Sequence, residues 1–158
     1  MKNGVLFILL GITALGSCKK YVEEKDLDKE IIVEIPVYSI GYGYSTAHPN
    51  FTSLPPYTYL VDFDKRDYPK VDSITLNALL ETQYASDTAV IRLFNVTDNV
   101  AIENSSLSYS TPYRDSARLI NTNNLYKSLP DKRVTLAIQT RGTGLGGVTR
   151  TFLKLRRN

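Results

Sequence analysis

The feature that most constrains the fold is a two-residue alternation in the segment SITLNALLET, residues 73–82. Apolar residues alternate with polar ones along it: Ile74, Leu76, Ala78 and Leu80 against Ser73, Thr75, Asn77 and Glu81. Successive side chains of a β-strand point to opposite faces, so this pattern predicts a strand with one buried and one exposed face. A helix would instead need apolar residues three and four positions apart. The segment therefore predicts a sheet whose apolar face packs against another layer.

Other segments along the chain also have the composition of strands. TAVIRLFNV (88–96) is nearly continuously apolar, which predicts a central strand covered on both faces. RVTLAIQT (133–140) and VTRTFLKLRR (148–157) alternate again. IIVEIPVYSI (31–40) is β-rich, but Pro36 cannot donate to a sheet ladder, so we expect an edge strand there. We predict an all-β domain, an antiparallel β-sandwich of roughly seven to nine short strands, with a jelly-roll topology.

The first residues of the chain have the layout of an export signal. Lys2 precedes a short apolar run, residues 4–17, which is shorter than the ~20 residues of a membrane-spanning helix. LGSC (15–18) resembles a bacterial lipobox, and Cys18 is the only cysteine in the chain. The resemblance implies that residues 1–17 are removed and that Cys18 is lipidated. An ordinary signal peptide with an incidental cysteine is the alternative.

A lipidated Cys18 would anchor the chain to a membrane, because its acyl chains supply more than the two hydrophobic signals that stable anchoring needs. The mature domain would then contain no thiol for a disulfide, a nucleophile or a metal site. Residues 18–30 are densely charged and predict a flexible tether before a domain at 31–158. The acidic residues of this tether resemble the export signal of Bacteroidetes-type surface lipoproteins. We therefore predict an outer-membrane lipoprotein of the cell envelope, facing the periplasm or displayed on the surface.

Three segments of the domain carry a second resemblance. YPKVDSITLNALLET (68–82), AVIRLFNVTDN (89–99) and SLPDKRVTLAIQT (128–140) resemble the small jelly-roll modules, similar to carbohydrate-binding domains, of Bacteroidetes-type surface lipoproteins. The resemblance implies the fold more than the function, because a sandwich is a scaffold that hosts many roles.

Several classes of site find little support in the composition. The net charge of +3 is too small to predict nucleic-acid binding. His48 is the only histidine, so neither a histidine-based zinc site nor a catalytic triad is predicted. We predict no enzyme, no catalytic residues, no cofactor and no metal. One alternative stays open, a calcium site in DFDKRD (62–67), although Lys65 and Arg66 would oppose a cation.

The candidate ligand-binding residues lie in and beside a long segment rich in Gly, Ser, Thr and Pro, residues 41–56. They are Tyr42, Tyr44, His48, Tyr57 and Tyr59. Aromatic faces pack on the C–H faces of sugar rings, and phenolic hydroxyls can bond sugar hydroxyls. The alternative is that these tyrosines simply face outward on strands, as β-rich proteins favour. We therefore expect a carbohydrate-binding or accessory module, or else a structural or assembly lipoprotein that contacts another envelope protein.

Overall fold

The structure is a computed structural model, and it describes residues 29–37, 44–45 and 48–157, with the backbone alone for 44–45. Cys18, the predicted signal peptide and most of the predicted tether lie outside the described residues, as does Tyr42. Within the part that the structure describes, no helix has the length and apolar character needed to cross a membrane.

The described residues form eleven strands, of which three have only two residues. In chain order they are β1 (Glu30–Ile35), β2 (Tyr44–Ser45), β3 (Thr52–Ser53), β4 (Leu60–Phe63), β5 (Val71–Thr82), β6 (Thr88–Asn95), β7 (Val100–Ala101), β8 (Leu107–Ser110), β9 (Ser116–Asn121), β10 (Val134–Thr143) and β11 (Gly146–Arg157). All their pairings are antiparallel.

The strands make two sheets in the order of a jelly roll. Sheet A runs β1-β11-β5-β9, with β2 also on β11. Sheet B runs β3-β10-β6-β7, with β4 also on β10 and β8 also on β6. The chain crosses between sheets from β2 to β3, β4 to β5, β5 to β6, β8 to β9, β9 to β10 and β10 to β11. The eight longer strands thus form two four-stranded layers, which confirms the predicted jelly-roll sandwich.

The core lies between the two sheets and contains the side chains that the alternation predicted. Every apolar member of the β5 pattern, from Ile74 to Leu80, has no exposed surface. Leu136 and Ile138 of β10 face them from the other sheet, again fully buried. The predicted burial of β6 on both faces is only half right. Its residues alternate between buried and half-buried, so its outer face is partly open to solvent.

The composition of residues 41–56 predicts a long loop, but the described part of this segment contains regular structure. It includes β2 and β3, and Leu54 is buried in the core. YTYLVDF (57–63) has the composition of a strand, but β4 begins only at Leu60, because Pro56–Thr58 form a 3-10 turn with a proline at its start. The backbone of residues 48–54 thus belongs to the sandwich.

The turn preference of glycine in RGTGLGGV (141–148) predicts a hairpin, but the strands that this segment connects belong to different sheets. Residues 144 and 145 turn the chain from sheet B to sheet A. Gly144 has a φ of 64°, and a Cβ atom there would lie 1.8 Å from Oδ1 of the buried Asp87. Glycine is required for both reasons, since the turn packs directly against the neighbouring β5–β6 connection.

Candidate functional site

One edge of sheet B brings together the described residues of the predicted ligand site. The chain from His48 to β4 runs antiparallel along β10: β3 pairs near one end of that strand and β4 near the other. The His48 carbonyl accepts a hydrogen bond from the Gly142 amide at 3.0 Å, while the 3-10 turn that holds Tyr57 precedes β4. His48 and Tyr57 are exposed, and Tyr59 is half-buried. These three predicted residues therefore share the β10 edge.

The remaining predicted residues do not join them within the described structure. The backbone of Tyr44 pairs with Val148 of β11, so this residue belongs to sheet A. Tyr42 lies outside the described residues. A site made from all four tyrosines stays a prediction, and the part that can be examined is the sheet B edge.

Between His48 and Tyr57, five side chains form a connected group that we call the arginine cluster: Phe51, Ser53, Arg92, Gln139 and Arg141. Ser53, Gln139 and Arg92 occupy neighbouring strands in register. Arg141 lies two residues beyond Gln139, on the same outward face. The Phe51 ring lies against both guanidinium groups, with its centroid 3.9 Å from Cζ of Arg92 and 4.6 Å from Cζ of Arg141.

A hydrogen-bond relay fixes one of these arginines. The Gln139 amide nitrogen donates to the Ser53 hydroxyl at 3.1 Å, and the Gln139 amide oxygen accepts from Nε of Arg92 at 2.8 Å. Gln139 is only 8% exposed, so its amide is held in one orientation by the surrounding sheet. The relay uses the inner nitrogen of the guanidinium and leaves its terminal nitrogens directed away from Gln139.

The cluster is positively charged. On β6, β8 and β10, the other outward-facing residues around the cluster are uncharged, and they include Thr88, Val90, Phe94, Ser108, Ser110, Ala137 and Thr143. The exposed Asp62 of β4 lies at the opposite end of β10, next to the pair of Phe63 and Val134. Within the described residues, neither Arg92 nor Arg141 takes part in an ion pair. Two guanidinium groups packed on one aromatic ring can bind anions and polar groups, but they offer no nucleophile or general base.

The residues that the sequence predicts on this edge are His48, Tyr57 and Tyr59, and they include neither its arginines nor Phe51. The available signal was Arg92, a lone charge inside the otherwise apolar run TAVIRLFNV. Nothing in the local sequence shows that Arg92 lies beside Phe51, because the two meet only through the pairing of β3 and β6 with β10.

The segment that suggested calcium presents a buried lysine instead. The ammonium group of Lys65 donates to the carbonyl oxygens of Tyr126 at 2.8 Å and Leu129 at 2.6 Å, and it pairs with Asp131 at 3.0 Å. Lys65 is 5% exposed. In the part of the chain that the structure describes, no group of three or more His, Cys, Asp or Glu residues is arranged to hold a metal. Lys65 therefore ties the turn before β5 to the loop before β10.

The neighbouring Asp64 is equally satisfied. Its carboxylate accepts hydrogen bonds from the guanidinium group of Arg66, the shortest at 2.6 Å, and from the Arg66 amide. The Arg66 side chain, followed by that amide, lowers the pKa of Asp64 from 3.8 to about 2. This carboxylate stays ionised as the cap of its short turn.

A cleft of about 370 Å³ near β7 is a second candidate site. Its walls include Asp98, Glu103 and Asp131. Asp98 accepts hydrogen bonds from Lys132 at 2.6 Å and Asn95 at 2.8 Å, and Lys132 lowers the pKa of Asp98. Asp131 is paired with the buried lysine. Two of the three carboxylates thus have structural partners, which makes this cleft the weaker candidate.

Comparison with known proteins identifies no relative: neither a protein-family model nor a curated protein matches this chain.

Proposed function

We propose that this chain is a lipid-anchored, non-enzymatic module of the bacterial cell envelope, and that its jelly-roll domain binds carbohydrate at the β10 edge of sheet B. The lipobox-like LGSC and the charged tether support the anchor. The sandwich fold is compatible with binding but does not select it.

The observation that carries the proposal is the set of groups along this edge. Tyr57 is 67% exposed. Beyond it along β10 lie the Phe51 ring, the guanidinium groups of Arg92 and Arg141 and, at the far end, the exposed His48. Aromatic faces and fixed polar donors are the groups that recognise sugar rings and hydroxyls. Along β10, six residues separate Gly142, which bonds His48, from Leu136, which pairs with Leu60 just after the Tyr57 turn. That separation is about 20 Å and favours an extended glycan over a single sugar.

A glycan array with the detergent-solubilised lipoprotein tests the proposal. Tyr57→Ala should abolish or strongly weaken binding of any glycan that is retained. Tyr113→Ala is the matched control, because Tyr113 is 73% exposed but lies between β8 and β9, away from β10. Absence of binding to every glycan, or equal losses in the two variants, would contradict a carbohydrate site at this edge.

The anchor is tested separately by fractionation of cells. Cys18→Ser removes the sulfur that would carry the lipid, so the variant should leave the membrane fraction. A Cys18→Ser protein that stays in the membrane pellet after washing with high salt would refute lipidation as the means of attachment.

One observation favours the second function, a structural or assembly lipoprotein. Within the described residues β9 pairs only with β5, so its other edge is open. Leu119 on β9 is 56% exposed and lies in register with Leu79. An open edge with an apolar side chain suits contact with another envelope protein. Affinity purification should then recover one partner with the native chain but not with Leu119→Ser.

A further inference from the structure

We propose that the arginine cluster makes the ligand an acidic one: the outer face of sheet B binds a saccharide that carries carboxylate or sulfate groups. This inference rests on the proposed function and names the chemical class of the ligand at the same site.

The two guanidinium groups of the arginine cluster have hydrogen-bond donors that are available to a ligand. Arg92 uses Nε for Gln139, and its terminal nitrogens make no hydrogen bond within the described residues. The guanidinium group of Arg141 lies over the Phe51 ring and forms no ion pair within the described residues. A guanidinium fork matches a carboxylate or sulfate with two parallel hydrogen bonds, and such charge-assisted bonds are about twice as strong as neutral ones.

The arginine side chains of the cluster are held in place before any ligand binds. Long arginine side chains lose rotamer freedom when they bind a ligand, and that loss opposes binding. Here Gln139 and Ser53 hold Arg92, and the Phe51 ring restrains both guanidinium groups before any ligand arrives. Cation–π packing fixes a guanidinium plane without using its in-plane N–H donors. The cluster is therefore arranged to receive an anion with little additional ordering.

The part of the face on β6, β8 and β10 that surrounds the cluster is uncharged but rich in hydroxyl groups. Ser108 and Ser110 of β8 are exposed and lie in register with Val90 and Thr88 of β6. The rows from β3 through β10 and β6 to β8 span about 14 Å at the usual strand spacing. An extended acidic saccharide would find hydroxyl partners for its own hydroxyl groups along these rows, beside the two cations.

The test is binding of defined polysaccharides to the full lipoprotein in detergent, measured by isothermal titration calorimetry. Polygalacturonate supplies carboxylates, and its fully methyl-esterified form supplies the same backbone without charge. Dextran sulfate and dextran form the corresponding pair for sulfate. We expect at least one acidic probe to bind at low salt, with its neutral counterpart at least about tenfold weaker.

The variants separate a specific site from general attraction between charges. Arg92→Gln/Arg141→Gln should weaken binding of the acidic probe by about tenfold or more. Arg150→Gln/Arg156→Gln removes the same charge from the outer face of sheet A and should change the affinity less than about twofold. Gln139→Leu keeps both charges but releases Arg92, so an intermediate loss is expected.

The possible outcomes distinguish this inference from the proposed function. If neutral glycans bind through Tyr57 and the sheet B double variant is unaffected, the carbohydrate site remains and the acidic ligand is wrong. If no glycan binds, both fail. Equal losses in the two double variants would overturn the site. Equally tight, cluster-dependent binding of oligodeoxythymidylate or of phosphatidylglycerol vesicles would replace the saccharide with another polyanion.

Discussion

The positively charged side chains on the outer faces of the two sheets have different kinds of partner. On sheet A, Glu30 accepts from Lys154 at 2.7 Å and from Arg156 at 2.8 Å, and Glu34 pairs with Arg150. The acids lie on β1 and the bases on the adjacent β11: Glu30 is directly opposite Arg156, whereas Lys154 and Arg150 are diagonal neighbours of Glu30 and Glu34. On sheet B, Arg92 and Arg141 contact an aromatic ring, and neither forms an ion pair within the described residues.

A positively charged side chain on the surface of this sandwich is not by itself available to bind a ligand. The ion pairs of sheet A use the donors of their cations within the protein. They also lower the pKa of Glu30, chiefly through Lys154, and raise the pKa of Arg150 through Glu34. Sheet B leaves comparable donors open to a ligand. The charges of sheet A are paired within the protein, and the recognition role of the charges of sheet B is the one proposed above.

The largest effect on stability should come from neither face but from the core that they share. Leu93 of β6 is fully buried, so Leu93→Ala should lower the free energy of unfolding by about 2–5 kcal/mol through lost burial and a residual cavity. Ser73→Ala on the outer side of β5 should cost much less. Denaturant melts of both variants measure this, and equal losses would mean that the strand faces are wrongly assigned.

The ammonium group of the buried Lys65 is bonded entirely within the protein, and replacing this residue should have the second-largest effect on stability. Lys65→Met keeps most of the apolar stem but leaves the carbonyl groups of Tyr126 and Leu129 without their donor. A loss of about 2–3 kcal/mol is expected, since hydrogen bonds to charged groups contribute more than neutral ones. Chemical denaturation measures it. A neutral outcome would mean that water replaces the ammonium at no cost.

The sequence predicted the sandwich well because its signals are local. The alternation of β5 specifies a face by itself, and the buried side chains at Ile74 and Leu76 follow from period two alone. The interactions of Lys65 and Arg92 depend on partners supplied by distant segments once the sheets have formed. Composition revealed that these charges exist, but only the pairing of strands decides which ones are satisfied.

The smallest expected effect on stability comes from variants that compare the charges of the two sheets directly. Glu30→Gln removes the shared partner of Lys154 and Arg156 and should destabilise the domain modestly at low salt, with the difference fading near 1 M NaCl as the charges are screened. Arg141→Gln breaks no ion pair among the described residues, so its unfolding midpoint should stay near that of the native chain at either salt concentration.

The pH dependence of the Glu30 variant gives the same comparison a second readout. The pKa of Glu30 lies below its ordinary value of 4.5 in the folded chain, so its contribution to stability is present above pH 4.5. That contribution is lost as the pH falls through the lowered pKa, because the protonated carboxyl group no longer pairs with the cations of β11. Thermal melts at pH 7 and in acid should therefore show Glu30→Gln approaching the native midpoint at low pH, whereas Arg141→Gln should show no such convergence. A Glu30→Gln difference that is constant across this range would mean that the sheet A pairs do not stabilise the fold, and the assignment of roles to the two faces would lose one of its two sides.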